Sequence, residues 1–99
     1  SELREFVAKY PLVIIDFWSR TCPPCRMLAP ILEESARLMQ GKAVFGKICI
    51  DNNRENALKF GITGVPTLLI FRKGKPIDRI VGLVPKEIII ERIRKLEGE

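Results

Sequence analysis

Leu12-Val13-Ile14-Ile15-Asp16-Phe17-Trp18 runs through Ser19-Arg20-Thr21 into Cys22-Pro23-Pro24-Cys25, and the reading of this stretch decides the fold. Leu12 to Trp18 is almost continuously apolar and rich in β-branched side chains, the pattern of a central strand covered on both faces. Pro23 and Pro24 suit the first turn of a helix, where a missing N–H costs little because it has no intrahelical partner. A strand therefore delivers a cysteine pair to a helix N-terminus. The unpaired N–H groups and partial positive charge there stabilise a thiolate, which lowers the pKa of Cys22 from the free value of about 8.5. The thiolate is the attacking species. The spacing brings Cys25 close enough to close a small disulfide ring with Cys22 and later reopen it. Cys22 is expected to be accessible and Cys25 more buried.

The pattern continues outward as one alternating series. Upstream, residues 2–10 read as a short helix with Ser1 as N-cap and Pro11 closing it. Downstream, a helix over 23–40 ends at Gly41, and Pro30 inside it removes one internal hydrogen bond and should bend it. Ala43 to Ile50 is the next strand, followed by a short helix over Arg54 to Phe60 that stops at Gly61. Thr67–Arg72 and Pro76–Gly82 are strands joined across Lys73-Gly74-Lys75, a connection that requires antiparallel pairing. Pro85 can begin a last helix, in which Ile89, Ile93 and Leu96 share one face. The fold class is α/β with a mixed sheet.

Composition narrows the function. A chain of 99 residues with 46% hydrophobic content is expected to form a single domain over 1–99. Its longest apolar runs fall well short of the roughly 18 residues that suggest a membrane span, so a soluble protein without membrane partners is expected. The charge of +5 comes from 17 basic and 12 acidic residues scattered along the chain. Phe17, Trp18, Phe45 and Phe71 sit inside apolar segments, which argues against the basic, aromatic stripe of a nucleic-acid binder. Three cysteines are too few, and odd in number, for a secreted disulfide framework, so a reducing, cytoplasmic compartment fits better. Zinc is a poor alternative for the pair, because the chain has no His and only Cys49 as a further soft ligand. An inert structural disulfide is a poor one too, since so short a loop removes little unfolded-chain entropy. No metal or nucleotide cofactor is called for.

The run Asp16 to Pro30 resembles the active-site segment of the thioredoxin family, including the proline inside the active-site helix. Lys47-Ile48-Cys49-Ile50-Asp51 resembles the strand that carries the family's buried lysine, and Phe60 to Leu68 resembles the loop that carries its cis-proline. Val81-Gly82 falls where the family has a groove-lining glycine. This resemblance implies a thioredoxin-like fold: a mixed four-stranded central sheet flanked by helices on both faces. The usual N-terminal strand would be absent or truncated, leaving Ala43 to Ile50 at an edge. Two departures stand out. Thr21 occupies the place where many members have Trp, and Pro23-Pro24 replaces Gly-Pro, a feature similar to tryparedoxins and nucleoredoxins.

The implied activity is reduction of protein disulfides through a reversible Cys22-Cys25 dithiol. Asp16, an acid in an apolar strand, should have a raised pKa, and the resemblance makes it the carboxyl that exchanges a proton with Cys25. Lys47 would moderate that charge, or simply extend its head to water. Trp18, Pro24, Val65, Pro66 and Gly82 would line the surface across which an extended client lies. The Val65-Pro66 bond is expected to be cis, which costs only about 0.5 to 1 kcal/mol before proline. Cys49 reads as a small buried hydrophobe. Partners implied are disulfide-containing client proteins and a thioredoxin reductase as electron donor, with the protein itself a monomer. Two alternatives stay open: a glutaredoxin-like protein recharged by a small thiol, and a redox-silent binding module on the same fold.

Overall fold

The computed structural model describes residues 1–98. In chain order they form α1 (Glu2–Lys9), β1 (Leu12–Trp18), α2 (Pro23–Leu38), β2 (Val44–Cys49), α3 (Arg54–Lys59), β3 (Thr67–Arg72), β4 (Lys75–Val81) and α4 (Lys86–Glu97). The strands make one sheet in the order β2-β1-β3-β4. β1 pairs with β2 in parallel, and β3 is antiparallel to both β1 and β4. The expected mixed sheet is therefore present, with β2 at one edge.

Alternation along β1 divides the interior. Leu12 and Ile14 point to a face shared with Leu28, Leu32, Ile89 and Ile93 of α2 and α4. Val13, Ile15 and Phe17 point to the opposite face, covered by Leu3 and Val7 of α1 together with Phe60 and Ile62. With helices on both faces the two central strands, β1 and β3, are apolar almost throughout, as doubly covered strands must be. Truncating a fully buried residue such as Ile93 to Ala should cost about 2–5 kcal/mol.

The element ends follow local chemistry, with small differences from the sequence reading. Ser1 caps α1 by accepting a hydrogen bond from the Arg4 N–H at 3.2 Å. α2 stops at Leu38, two residues before the expected end, and the chain turns through Met39–Gly41, where Gly41 has φ +85°. α3 ends in a Schellman cap: the Gly61 N–H donates to Leu58 O at 3.1 Å and the Ile62 N–H to Ala57 O at 2.8 Å, with Gly61 at φ +64°. The β3–β4 turn is shorter than expected. Only Lys73 and Gly74 form it, both at positive φ, the geometry whose twist matches a two-residue hairpin, and Lys75 already pairs with Arg72. Ile77 is an unpaired bulge, because the register passes from Ile70↔Asp78 to Phe71↔Pro76. Pro85 occupies the N-cap position of α4 and not its first turn.

Candidate active site

Strand direction gathers the chemistry at one end of the sheet. β1 and β2 finish there at Trp18 and Cys49, which are register partners. β3 begins there at Thr67, paired with Phe17 on one side and with Val81, the last residue of β4, on the other. The segments Ser19–Cys22, Ile50–Asn53, Gly64–Pro66 and Gly82 therefore all leave or enter the sheet at the same end. Cys22 is the N-cap of α2, and its Sγ accepts a hydrogen bond from the Cys25 N–H at 3.2 Å. Cys22 and Cys25 are joined as a disulfide with their Cα atoms 5.2 Å apart.

Asp16 lies in β1 between Leu68 and Lys47, its neighbours in β3 and β2. By alternation it shares the face of Leu12 and Ile14, the side covered by α2. It is 3% exposed, and its Oδ1 is the one buried side-chain oxygen or nitrogen without a partner among the described residues. Burial pushes its pKa up from 3.8 to about 6, against a smaller downward pull from the Lys47 charge. Lys47 itself is exposed, so its stem lies along β2 while its ammonium meets water.

The loop before β3 enters the sheet at this same end. The Val65–Pro66 bond is cis. The Thr67 hydroxyl donates to Gly64 O at 2.6 Å, and the Gly82 N–H donates to Pro66 O at 2.8 Å. Gly82 adopts φ +92°, a conformation that favours glycine. Pro66 is buried, Val65 and Gly82 are half-buried, and Pro24 is exposed.

Comparison with known proteins agrees with this geometry. The thioredoxin family model matches residues 1–95. The chain belongs to the thioredoxin family. It is 45% identical over 82 residues to the thioredoxin of Staphylococcus saprophyticus, covering 83% of this chain and 79% of that protein. A thioredoxin of Staphylococcus aureus is 43% identical over the same shares. Among solved structures, a thioredoxin variant from Halobacterium salinarum superposes with a TM-score of 0.88 at 34% identity, over 95% of this chain and 81% of that one. The oxidised thioredoxin of Plasmodium falciparum gives 0.85 at 30% identity, over 97% and 90%. Membership makes the protein a thiol-disulfide oxidoreductase of the thioredoxin type, acting on disulfide substrates. No helix among the described residues is long and apolar enough to cross a membrane.

Within this thioredoxin fold, two sequence expectations need correction. Cys22 and Cys25 differ little in exposure, 7% against 4%, because in the closed disulfide each sulfur packs against the other. Cys49 is not a buried hydrophobe. It is half-exposed at the end of edge strand β2, and its thiol donates to Asp51 Oδ2 at 3.5 Å. An edge strand has one side without a neighbour, so an apolar sequence there does not ensure burial.

Sequence reasoning also missed a clamp on the segment before Cys22. Asp51 accepts hydrogen bonds from the Ser19 hydroxyl at 3.0 and 3.2 Å and from the Arg20 N–H at 3.0 Å. The Arg20 side chain bonds Asn52 Oδ1 at 2.8 Å, while Arg26 Nη1 donates back to Arg20 O at 3.2 Å. These donors hold the Asp51 carboxyl below the usual range, the Arg20 N–H most and the Ser19 hydroxyl next. A signal was available: an acid directly after a strand whose C-terminal end lies beside that of β1 sits where α/β sheets gather functional groups.

Proposed function

We propose that Cys22 is the attacking nucleophile, Cys25 the resolving thiol and Asp16 the proton acceptor that serves Cys25. The observation that carries this reading is the buried Asp16 carboxyl with an unpartnered oxygen and a pKa raised to about 6, on the sheet face covered by α2, the helix that begins at the cysteine pair. In the first step the Cys22 thiolate attacks one sulfur of a client disulfide. A Cys22–client bond forms, the client S–S bond breaks, and the other client sulfur leaves as a thiolate. In the second, Cys25 passes its proton to the Asp16 carboxylate and attacks Cys22 Sγ. The Cys22–Cys25 bond forms, the mixed disulfide breaks, and the second client thiolate departs. Two electrons have moved from the pair to the client, and both client thiolates take protons from solvent or from Asp16.

The client lies as an extended segment across Trp18, Pro24, Val65-Pro66 and Gly82, held by main-chain hydrogen bonds and tolerant of its sequence. Lys47 moderates the charge on Asp16 from the neighbouring strand. The protein works as a cytoplasmic monomer of one domain, reduced again by a thioredoxin reductase, and needs no metal or nucleotide of its own. Recharging the oxidised form with NADPH and a flavin reductase, in parallel with glutathione, tests this. Rapid reduction by the reductase and slow reduction by glutathione support the reading. The reverse order makes the protein glutaredoxin-like, and an unreactive Cys22 makes it a redox-silent module.

A further inference from the structure

β4 and the glycine that follows it bond the segment between α3 and β3 at both ends. At the far end is the Gly82 N–H bond to Pro66 O, at 2.8 Å. At the near end is Arg79, whose guanidinium forks over two successive carbonyls: Nη2 donates to Phe60 O at 2.6 Å and Nη1 to Gly61 O at 3.1 Å. Those oxygens follow the Schellman bonds that close α3, at the point where the chain leaves the helix for the wall of the groove. The base of the fork is fixed. Arg79 pairs with Leu69 in β3, and the adjacent Asp78 is bound by Arg92 of α4 at 2.8 Å.

The fork joins a well-anchored stretch, where Phe60 and Ile62 pack into the core and the Schellman bonds close α3, to an exposed one that follows it. Gly61, Thr63 and Gly64 are exposed, and a Cβ built on either glycine would meet nothing within 4 Å. The exposed Thr63-Gly64 step between Ile62 and Val65 has conformational freedom, and any freedom that remains must be given up when a client binds. Val65, next in the chain, enters none of the bonds that hold the loop at Phe60, Gly61, Gly64 and Pro66. We infer that Arg79 is a positioning residue for client binding: by clamping Phe60 O and Gly61 O to β4 it sets the height at which the Val65 main chain meets an extended client. This rests on the reading that clients lie along Val65. Arginine is suited to the task because its planar fork reaches both carbonyls at once, whereas a lysine ammonium is a single point donor.

The test compares a protein disulfide, insulin, with a small aromatic disulfide that engages only the sulfur pair. For Arg79→Met, which keeps the stem and removes the donors, KM for insulin should rise about three- to tenfold, the scale of one net hydrogen bond lost from binding. Its kcat should stay within about twofold, and reduction of the small disulfide should be unaffected, since Arg79 acts through the loop and not on the pair. Arg79→Lys should recover part of the loss. If the Met variant does not fold, Arg79→Gln, too short to reach both carbonyls, gives the same readout. An unchanged insulin KM, or parallel loss on both substrates, overturns the inference. Failure of the underlying client-groove reading appears separately, as wild-type protein that reduces the small disulfide but not insulin, and that result overturns both.

Discussion

Two aspartates at the same end of the sheet sit in opposite surroundings. Asp16 is inside β1, 3% exposed, with Oδ1 unpartnered and a pKa raised to about 6. Asp51 lies at the surface beyond β2, where it accepts from the Ser19 hydroxyl, the Arg20 N–H and the Cys49 thiol and stays below the ordinary range. Burial without a donor makes a carboxylate costly and ready to take a proton near neutrality, whereas donors without burial make it a fixed anion that holds chain in place. The same side chain is thus a proton acceptor in one place and a tether in the other.

The comparison matters only if a proton must be moved at Cys25, so the sulfurs give the largest test. Cys22→Ser should abolish reaction with client disulfides. Cys25→Ser should react once and remain as a mixed disulfide, visible by non-reducing electrophoresis or intact mass. A trapped adduct in Cys22→Ser instead would reverse the assignment and leave Asp16 beside the wrong step.

Next in size is Asp16→Asn, which keeps the side-chain shape and removes the acceptor. Resolution of the mixed disulfide should slow on the order of 10²-fold at neutral pH, the lower part of the range for a positioned general base. In wild-type protein the resolution rate should fall as pH drops through about 6, where Asp16 takes up its proton, and in Asp16→Asn that inflection should vanish. Asp51→Asn should keep it. Stopped-flow measurement of resolution across that range separates the two aspartates, and an inflection that survives Asp16→Asn would remove the carboxyl from the mechanism.

The difference between the two was only half legible in the sequence. Asp16 could be read because a single acid inside a β-branched run has nowhere polar to point. β1, β3 and the buried face of α4 could be read for the same reason, since periodicity reports burial directly. Asp51 could not be read that way: its role depends on Ser19 and Arg20, which become neighbours only once β2 pairs in parallel with β1. Cys49 was misjudged because the sequence of an edge strand looks like that of a central one. Arg79 stayed hidden among 17 basic residues until the register of β4 placed it over the end of α3.

The smallest effect, and the one that sets the aspartates directly against each other, is the pH dependence of stability. Below pH about 3.8 Asp16 is protonated in folded and unfolded chains alike, and contributes no difference. Between that value and about 6 the unfolded chain has lost the proton and the native one keeps it, so stability falls as pH rises. Above about 6 the penalty is constant, at most about 3 kcal/mol for a shift of this size. Asp16→Asn should therefore match wild type in acid, gain on it through that window, and remain more stable at neutral pH. Asp51 carries the opposite sign. Its lowered pKa gives stability that is present above the unfolded value and is lost as pH falls through the folded one, so Asp51→Asn should be less stable than wild type at neutral pH and converge with it in acid. Urea melts of the three proteins from about pH 3 to 8 should give two difference curves of opposite sign, both closing toward acid. A flat curve for Asp16→Asn would mean that the buried carboxyl finds a donor in solution, and the contrast between the two aspartates would collapse.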